Sequence, residues 1–300
     1  MTCYDLCLTW SWKCDADFAC LLETACQARG LTFLQVRPEA LDDILKGLAS
    51  GEMTIGAHFD CSVHDARFEP LFRWVRERGA YRINPPEVGD WAEDKATMHL
   101  ELINAGVYAP YTIILPPFYK QPDLPPVDLG PLGERFVIKP SYGGGGDGVI
   151  LDATSFEQVL KARRQYPDLK YLLQEQMLSR ELDGRQAWFR IIFCAGQIYP
   201  CWWDTHTHIY APVTADEKSR FELAPLQEIT ARIAQVCKLD FFSTEITHSI
   251  DGRWVAVDYV NDHIDLRLQS KAVDGVPDTI LSHVAADLTG LVAQKHPPTQ

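Results

Sequence analysis

Hydrophobic and polar positions in the first ninety residues alternate between two patterns. Short strand-like runs are separated by longer segments in which apolar residues recur at helical spacing. Strands that alternate with helices predict a parallel sheet covered by helices. The strand-like runs are YDLCLTW, LTFLQV, MTIGAHFD and AYRINPP, and the helical segments are DADFACLLETACQARG, ALDDILKGLAS and DARFEPLFRWVRERG. Ligands bind at the carboxyl ends of parallel strands, where this chain carries Trp10-Ser11-Trp12, Arg37 and Asp60.

After residue 92 the pattern favours helices mixed with hairpins. EDKATMHLELINAG predicts a helix, and the Pro-rich stretch 116–133 predicts a loop or flap. RFVIKPSYGGGGDGVILDA predicts two strands joined by a glycine loop. Further strands are predicted at 170–177, in a pair that turns at Ala195-Gly196 and in a hairpin that turns at Asp251-Gly252, and further helices at 154–167, 222–239 and 277–294.

Composition narrows the classes of function. The net charge of -13 argues against binding to nucleic-acid backbones or anionic membranes. No segment approaches the roughly 18 apolar residues that a membrane helix needs, and the start of the chain lacks the pattern of a signal peptide. The nine cysteines form no CxxC pair, which disfavours a zinc ribbon or a thioredoxin-type site. Reduced thiols in a cytoplasmic protein are the expected state.

The glycine-rich segment VIKPSYGGGGDGV allows three nucleotide-binding interpretations. No GxxxxGK[ST] motif of a Walker A loop occurs in the chain. Gly143, Gly145 and Gly148 match GxGxxG literally, but the strand-like VILDA follows where a Rossmann fingerprint opens a helix. The third interpretation is a flap between two antiparallel strands, whose backbone N–H groups point at phosphates. A flexible hairpin without a ligand is the alternative.

Five segments, in order, resemble the ATP-grasp superfamily, the fold of glutathione synthetase-like enzymes. They are EDKATMHLELINAGVYAPYTIIL, FVIKPSYGGGGDGV, YLLQEQM, AWFRIIFCAGQI and STEITHSIDGRWVAVDYVND. The resemblance runs from about residue 93 to 290 and implies an α/β (α+β) fold. It consists of an N-terminal parallel βα domain (1–92), a small subdomain with the glycine loop (93–176) and a C-terminal subdomain with the metal site (177–300), the last two clasping the nucleotide.

The resemblance implies how ATP is held. Lys139, just before the loop, would neutralise phosphate oxygens, although a surface lysine on an edge strand is the alternative. Lys95 would be the second phosphate contact, and Gly143, Gly144, Gly145 and Gly146 would cover the phosphates. The strand with Gln174, Glu175 and Met177 would line the adenine. Glu181 or Asp183 would accept a hydrogen bond from a ribose hydroxyl.

Catalytic and metal-binding residues follow from the later segments. Arg190 lies in the apolar stretch AWFRIIF, where a guanidinium needs an anionic partner, either phosphate or a carboxylate. Glu245, Asp258 and Asn261 are the Mg²⁺ candidates, because Mg²⁺ prefers oxygen ligands. The family pattern is acid-x-Asn, whereas two residues separate Asp258 from Asn261. Either a β-bulge restores the geometry, or Asp262 replaces one ligand.

Two further groups of polar residues remain. Arg267, near Asp265, is a candidate for binding a substrate carboxylate or the transferred phosphate. His206 and His208 have strand spacing, and a zinc site there competes with an ordinary polar loop.

The resemblance implies an ATP-dependent, Mg²⁺-dependent ligase that joins a small-molecule carboxylate to an amine, or less often a thiol, through an acyl phosphate. A small-molecule kinase of the same fold and a non-catalytic ATP-binding or regulatory protein are the alternatives. A homodimer is expected by analogy.

Overall fold

The computed structural model describes residues 1–63 and 65–296. Its N-terminal unit is a parallel sheet with strand order β2-β1-β3-β4, so the predicted parallel βα arrangement is confirmed. The strands are β1 (Thr2–Thr9), β2 (Phe33–Val36), β3 (Met53–Asp60) and β4 (Tyr81–Ile83), and the helices are α1 (Ala16–Ala28), α2 (Leu41–Ser50), α3 (Glu69–Glu77) and α4 (Pro86–Glu93).

A small antiparallel sheet follows, with strand order β5-β8-β6-β7. β6 and β7 are the two arms that flank the glycine segment, as the pattern predicts. The elements are α5 (Lys95–Asn104), β5 (Thr112–Leu115), β6 (Phe136–Pro140), β7 (Ile150–Ala153), α6 (Phe156–Ala162) and β8 (Tyr171–Glu175).

The C-terminal sheet is antiparallel and has the order β13-β12-β11-β14-β15. A small hairpin of β9 (Glu181–Leu182) and β10 (Arg185–Gln186) precedes it. Its strands are β11 (Trp188–Cys194), β12 (Gln197–Trp203), β13 (Tyr210–Pro212), β14 (Phe241–His248) and β15 (Trp254–Asn261), and its helices are α7 (Ala215–Arg220), α8 (Ala224–Cys237) and α9 (Asp278–Lys295).

The last helix joins the first and last units of the chain in one hydrophobic core. Leu288 and Val292 of α9 are fully buried in a cluster that contains Leu6 of β1 and Ile192 of β11. At the end of α1, Arg29 Nε donates to Thr289 Oγ1 at 3.0 Å. The predicted domain boundary at residue 92 therefore does not divide this hydrophobic core, which contains residues from both sides of it.

The predicted helix over 93–106 begins at Lys95 and is preceded by a separate helix, α4. Asp94 interrupts the two helices with an extended backbone, and its side chain accepts from the backbone N–H of Ala96. The cap satisfies a donor that has no partner inside the helix. It also places Lys95 in the first turn of α5.

Within residues 1–63 and 65–296, no helix is both long and apolar enough to cross a membrane.

Candidate active site

Three charged side chains form a row across adjacent strands of the C-terminal sheet. Arg190 of β11 lies opposite Glu245 of β14, which lies opposite Asp258 of β15. Directly opposed residues of antiparallel strands project from the same face of the sheet, so the three groups share one surface. Arg190 Nη1 is 3.3 Å from Glu245 Oε1, and Trp188 Nε1 donates to Glu245 Oε2 at 2.9 Å.

Two lysines of the small subdomain reach this row. Lys139, at the end of β6, donates from Nζ to the Val257 carbonyl at 3.1 Å, next to Asp258. Lys95 Nζ lies 3.8 Å from Asp258 Oδ1. Both lysines are less than 10% exposed. The site therefore lies between the small subdomain, which contributes the two lysines, and the C-terminal sheet, which contributes Arg190 and the two carboxylates.

Burial and charge shift the ionisation of these groups in different directions. Burial lowers the pKa of Lys139 to about 8, although Asp258 opposes that change. Burial raises the pKa of Glu245, against the effect of Arg190. Burial also acts to raise the pKa of Asp258, but Lys95 and Lys139 outweigh it and hold that pKa below the ordinary value. Shifts of this kind are common where a site is built to bind charged groups.

A β-bulge lies between Asp258 and Asn261. Ser243 and Glu245 are two residues apart on β14. Their partners on β15, Asn261 and Asp258, are three residues apart. The extra residue is taken up in the bulge, and Asn261 Nδ2 donates to Asp258 Oδ2 at 3.1 Å. The bulge thus brings Asn261 back beside Asp258, as one of the two alternatives requires. Asp262 instead accepts a hydrogen bond from Asn84.

The oxygen atoms at this end of β15 fit a magnesium ion. Asp258 Oδ1 is buried without a hydrogen-bond partner, Glu245 lies opposite, and the amide group of Asn261 is hydrogen-bonded to Asp258. Mg²⁺ binds through one or two carboxylates together with substrate phosphates and water. In the described part of the chain, no three or more His, Cys, Asp and Glu side chains form a metal-binding group.

The base of the glycine loop is fixed to the surrounding helices. Lys95 N donates to the Ser141 carbonyl at 2.8 Å, Lys95 Nζ donates to the Gly143 carbonyl at 2.7 Å, and Tyr142 OH donates to the Asp90 carbonyl at 2.8 Å. Beyond the base, Gly145 and Gly146 have φ of 61° and 78°, which favours glycine. A Cβ atom at any of residues 143–146 would project into open space. The loop therefore presents only backbone at these positions, and its Gly143 carbonyl contacts Lys95.

The residues predicted to hold the nucleoside lie in two places. Gln174 is buried, and its Nε2 donates to Thr112 Oγ1 and to Tyr259 OH, both at 2.8 Å. Its side chain is therefore hydrogen-bonded within the protein interior. Glu175 Oε1 accepts from the backbone N–H of Tyr111 at 2.8 Å, and Met177 follows the end of β8, half-buried.

Asp183 lies elsewhere. It occupies the exposed turn between β9 and β10, where it pairs with Arg220 at 2.7 Å. None of its hydrogen bonds or ion pairs within the described residues goes to the lysines or to the carboxylate row.

Arg267 forms ion pairs with two carboxylates that do not belong to the row of Arg190, Glu245 and Asp258. Its guanidinium lies 2.6 Å from Asp265 and 2.9 Å from Asp274, and hydrogen bonds to these groups raise its pKa. Asp265 also acts electrostatically on Arg190. His206 and His208 lie in a turn after β12 rather than on a strand, and His208 stacks on Trp203.

The sequence interpretation missed a buried polar network behind Lys139. The Lys139 ammonium lies 5.4 Å from the ring centroid of Tyr259, and Tyr259 OH is 2.6 Å from His99 Nδ1. Tyr259 OH also accepts from Gln174 Nε2, so it links the imidazole of His99 to the buried end of β8. Burial lowers the pKa of His99 to about 4. The spacing of Lys95 and His99, four residues apart on one helix face, is the signal that could have found it.

Ser243 was also missed. Its Oγ accepts from Arg190 Nη2 at 3.2 Å, and with Glu245 it orients the guanidinium. Alternate positions of β14 face the same way, so Ser243 and Glu245 belong to one face of that strand.

Solved structures share this architecture across nearly the full chain. A RimK domain ATP-grasp protein from Sphaerobacter thermophilus is 19% identical, with 95% of this chain and 98% of that chain covered at a TM-score of 0.63. D-alanine–D-alanine ligase from Bacillus anthracis, in complex with ATP, is 14% identical over 98% and 97% of the two chains at 0.62. D-cycloserine synthetase DcsG is 17% identical over 96% and 99% at 0.61.

No protein-family model matches the sequence, and a search of curated proteins finds no match either. The structural likeness nevertheless extends over all three units of the chain. The chain has the ATP-grasp fold, as the order of its motifs predicts.

Proposed function

We propose that this chain is an ATP-dependent ligase that joins a small-molecule carboxylate to an amine through an acyl phosphate. One observation carries the proposal. Lys95 and Lys139 converge with Asp258 beneath the glycine loop, on the row that also contains Glu245 and Arg190. Similar structures include ligases solved with ATP or with Mg and ADP, which supports the same ligands here.

The cationic side chains of the site would bind the triphosphate. Lys95 now donates to the Gly143 carbonyl, and Lys139 donates to the Val257 carbonyl. Phosphate oxygens would replace these carbonyls as stronger acceptors, because charge-assisted hydrogen bonds are the stronger ones. Arg190 would neutralise the group in transfer from the opposite side.

Glu245, Asp258 and Asn261 would hold Mg²⁺. At this position the ion would supply positive charge that offsets the negative charge of the phosphates. Asp258 Oδ1 is buried without a hydrogen-bond donor, with Lys95 Nζ 3.8 Å away, which supports this assignment because a buried carboxylate oxygen that lacks a hydrogen bond is costly.

The reaction needs no nucleophilic side chain. A carboxylate oxygen of the substrate attacks the γ-phosphorus, the bond to the β-phosphate oxygen breaks, and ADP leaves. The amine then attacks the acyl carbon, inorganic phosphate leaves with the bonding electrons, and the amine loses a proton to give the amide. The glycine loop would close over the nucleotide and keep water from the acyl phosphate.

The nucleoside would lie along the end of β8, with Glu175 and Met177 beside the adenine. Asp183 lies in the exposed hairpin turn with Arg220, so a ribose contact there would require the hairpin to move. Arg267 stays a candidate for a substrate carboxylate, and that role requires exchange of one of its two carboxylate partners. We also propose a cytoplasmic location, which the nine free thiols support, and homodimerisation stays a prediction.

The first test is ATP binding. Saturating MgATP, at about 100 times its Kd, should stabilise the folded protein by about 2.7 kcal/mol. Lys139→Met should weaken MgATP binding by roughly 10- to 100-fold, because one charge-assisted contact is worth about 1.5–3 kcal/mol. The measurement is thermal unfolding across an ATP titration with and without Mg²⁺.

The matched control is Lys161→Met, which removes an exposed lysine of α6. Equal MgATP shifts in both variants would exclude Lys139 as a phosphate ligand. If the wild type shows no shift, the nucleotide site itself is rejected.

ADP release then separates the ligase from a kinase. A ligase should release ADP in step with amide only when an acid and an amine are both present. A kinase would require a single hydroxyl acceptor. Tight MgATP binding without turnover on any acceptor would indicate a regulatory protein.

A further inference from the structure

Tyr259 is a fully buried tyrosine on the strand that also carries Asp258. The Lys139 ammonium lies over its ring, 5.4 Å from the centroid. Its hydroxyl lies 2.6 Å from His99 Nδ1 and accepts from Gln174 Nε2 at 2.8 Å. One side chain of the C-terminal sheet therefore contacts β6, β8 and α5, three elements of the small subdomain.

The polar groups of this network are costly where they lie. Tyr259 belongs to an apolar cluster with Met98 and Leu102 of α5, and His99 and Gln174 are buried. Buried polar groups require partners, and a partly satisfied network is less stable than an apolar core. A polar network at positions that apolar side chains could fill indicates a role beyond packing.

The ring of Tyr259 acts on Lys139. A cation over an aromatic face is attracted by the ring, most strongly where the pair is removed from water. Lys139 is buried, and its Nζ donates to the Val257 carbonyl at 3.1 Å. The carbonyl and the ring together fix the ammonium beside Asp258.

The hydroxyl of Tyr259 acts on Lys95 through α5. Lys95 and His99 are four residues apart in that helix and therefore lie on the same face. The contact between His99 and Tyr259 holds this face of α5 against β15, where Lys95 Nζ lies 3.8 Å from Asp258 Oδ1. The hydroxyl thus sets the position of Lys95 from one helical turn away.

The two lysines need such support because their charges repel each other. Burial lowers the pKa of Lys139 to about 8, and the charge of Lys95 also lowers it. Without support, one ammonium would move away from the other and would have to return when phosphate binds. Groups that are already held in place bind more tightly, since binding then costs less ordering.

We propose that Tyr259 is a positioning residue for triphosphate binding, whose ring orients Lys139 and whose hydroxyl, through His99, orients Lys95. The inference rests on the proposed function and adds a residue that acts through the two lysines.

The test is a set of thermodynamic cycles for MgATP binding, measured by isothermal titration calorimetry at one ionic strength. Tyr259→Phe keeps the ring and removes the hydroxyl. It should weaken binding by about 2- to 10-fold, as expected for one hydrogen bond. Tyr259→Leu removes both groups and should weaken binding by about 5- to 30-fold more, as expected for a buried cation–π contact.

Each loss should depend on the lysine through which it acts. In a Lys95→Met background, Tyr259→Phe should change the Kd by less than about 2-fold. In a Lys139→Met background, the difference between Tyr259→Leu and Tyr259→Phe should fall below about 2-fold. A tyrosine that only stabilises the fold would weaken binding by the same factor in every background.

The matched control is Tyr171→Phe, which removes the hydroxyl of a fully buried tyrosine in the apolar cluster of the small sheet. It should bind MgATP as the wild type does. Thermal unfolding without ligand shows which variants fold. If Tyr259→Leu does not fold, the cycle of Tyr259→Phe with Lys95→Met decides.

Equal losses in all backgrounds, or wild-type affinity in the Tyr259 variants, would overturn the inference. MgATP binding by the wild type is measured first. No binding by the wild type would reject the proposed function together with this inference, whereas normal binding by the wild type with additive losses would reject the inference alone.

Discussion

His58, like His99, has a buried imidazole. It is 5% exposed on β3, and its Nε2 lies 3.0 Å from Thr9 Oγ1, which itself donates to Asp60 Oδ1 at 2.7 Å. Because the Thr9 hydroxyl proton is directed to Asp60, His58 Nε2 must be the donor to Thr9. Burial lowers the pKa of His58 to about 4, so the ring is neutral in the folded protein.

We predict that His58 makes the protein sensitive to acid. Its folded-state pKa is below the unfolded value of about 6.5, so stability is lost as pH falls from about 6.5 to about 4. The loss attributable to His58 should approach roughly 3 kcal/mol. Urea unfolding at pH 7 and pH 4.5 should show a smaller loss for His58→Gln than for the wild type.

His283→Gln, which replaces an exposed imidazole of α9, is the control for this measurement. A loss in His58→Gln as large as that in the wild type would show that other groups cause the acid sensitivity.

At the residue scale, the sequence predicts functional residues that are neighbours in the chain. It misses interactions between residues that are far apart in the chain. Lys139 stands beside its glycines in the chain, so its position could be inferred. Tyr259 and His99 meet across 160 residues, and Asp274 holds Arg267 through a loop without a regular pattern. These pairings depend on tertiary packing, which a local pattern does not contain.

At the element scale, the glycine segment contains positions with different demands. Gly148 has φ of 70°, and a Cβ there would lie 2.7 Å from the Tyr166 ring and 3.2 Å from Pro140. Gly144 lies outside the left-handed region, and a Cβ would meet nothing within 4 Å. The segment therefore requires glycine at position 148 for its backbone conformation. At position 144 glycine leaves the space beside the loop open.

We predict that Gly148→Ala lowers the free energy of unfolding by about 1–3 kcal/mol, because a left-handed alanine costs roughly 1–2 kcal/mol and the ring must also shift. Gly144→Ala should change it by less than about 0.5 kcal/mol. Chemical denaturation of both variants measures the difference. Equal stabilities would mean that the end of the loop is not held against Tyr166 in solution.

Boundaries of elements were harder to predict than their types. The hairpin of β14 and β15 was predicted from the Asp251-Gly252 turn, and the sequence spacing allowed a bulge without requiring one. The bulge is set by pairing with Ser243 and Glu245 on the other strand. Likewise, α4 was not predicted, and the helix predicted over 93–106 begins at Lys95, because a helix pattern does not show that Asp94 leaves helical geometry.

At the scale of the whole molecule, α9 couples the N-terminal sheet to the C-terminal sheet. Leu288 is fully buried in the cluster that both sheets share, whereas Leu226 of α8 is fully buried in a cluster of the C-terminal unit alone. The two leucines thus form a matched pair of core positions.

We predict that Leu288→Ala destabilises the protein by about 2–5 kcal/mol, as is typical of buried leucines, and accelerates amide hydrogen exchange in both β1 and β11. Leu226→Ala should accelerate exchange in β11 more than in β1. Hydrogen exchange followed by mass spectrometry resolves the two strands. Unchanged exchange of β1 in Leu288→Ala would show that the N-terminal unit is stable without α9.

The three-unit order could be predicted from the sequence because parallel βα and antiparallel patterns differ. The sheet order β5-β8-β6-β7 and the shared core could not, since the apolar face of α9 is compatible with any apolar partner. Which surfaces meet is decided by the packing of elements that lie far apart in the chain.

The position of α9 has a consequence for the order of synthesis. β1 leaves the ribosome before α9, which packs against it and begins at Asp278. At roughly 5–20 residues per second, the nascent N-terminal sheet waits on the order of tens of seconds for its last layer. During that time the side chains of Leu6 and Leu22, both of which end in the shared core, are exposed to chaperones and to other nascent chains.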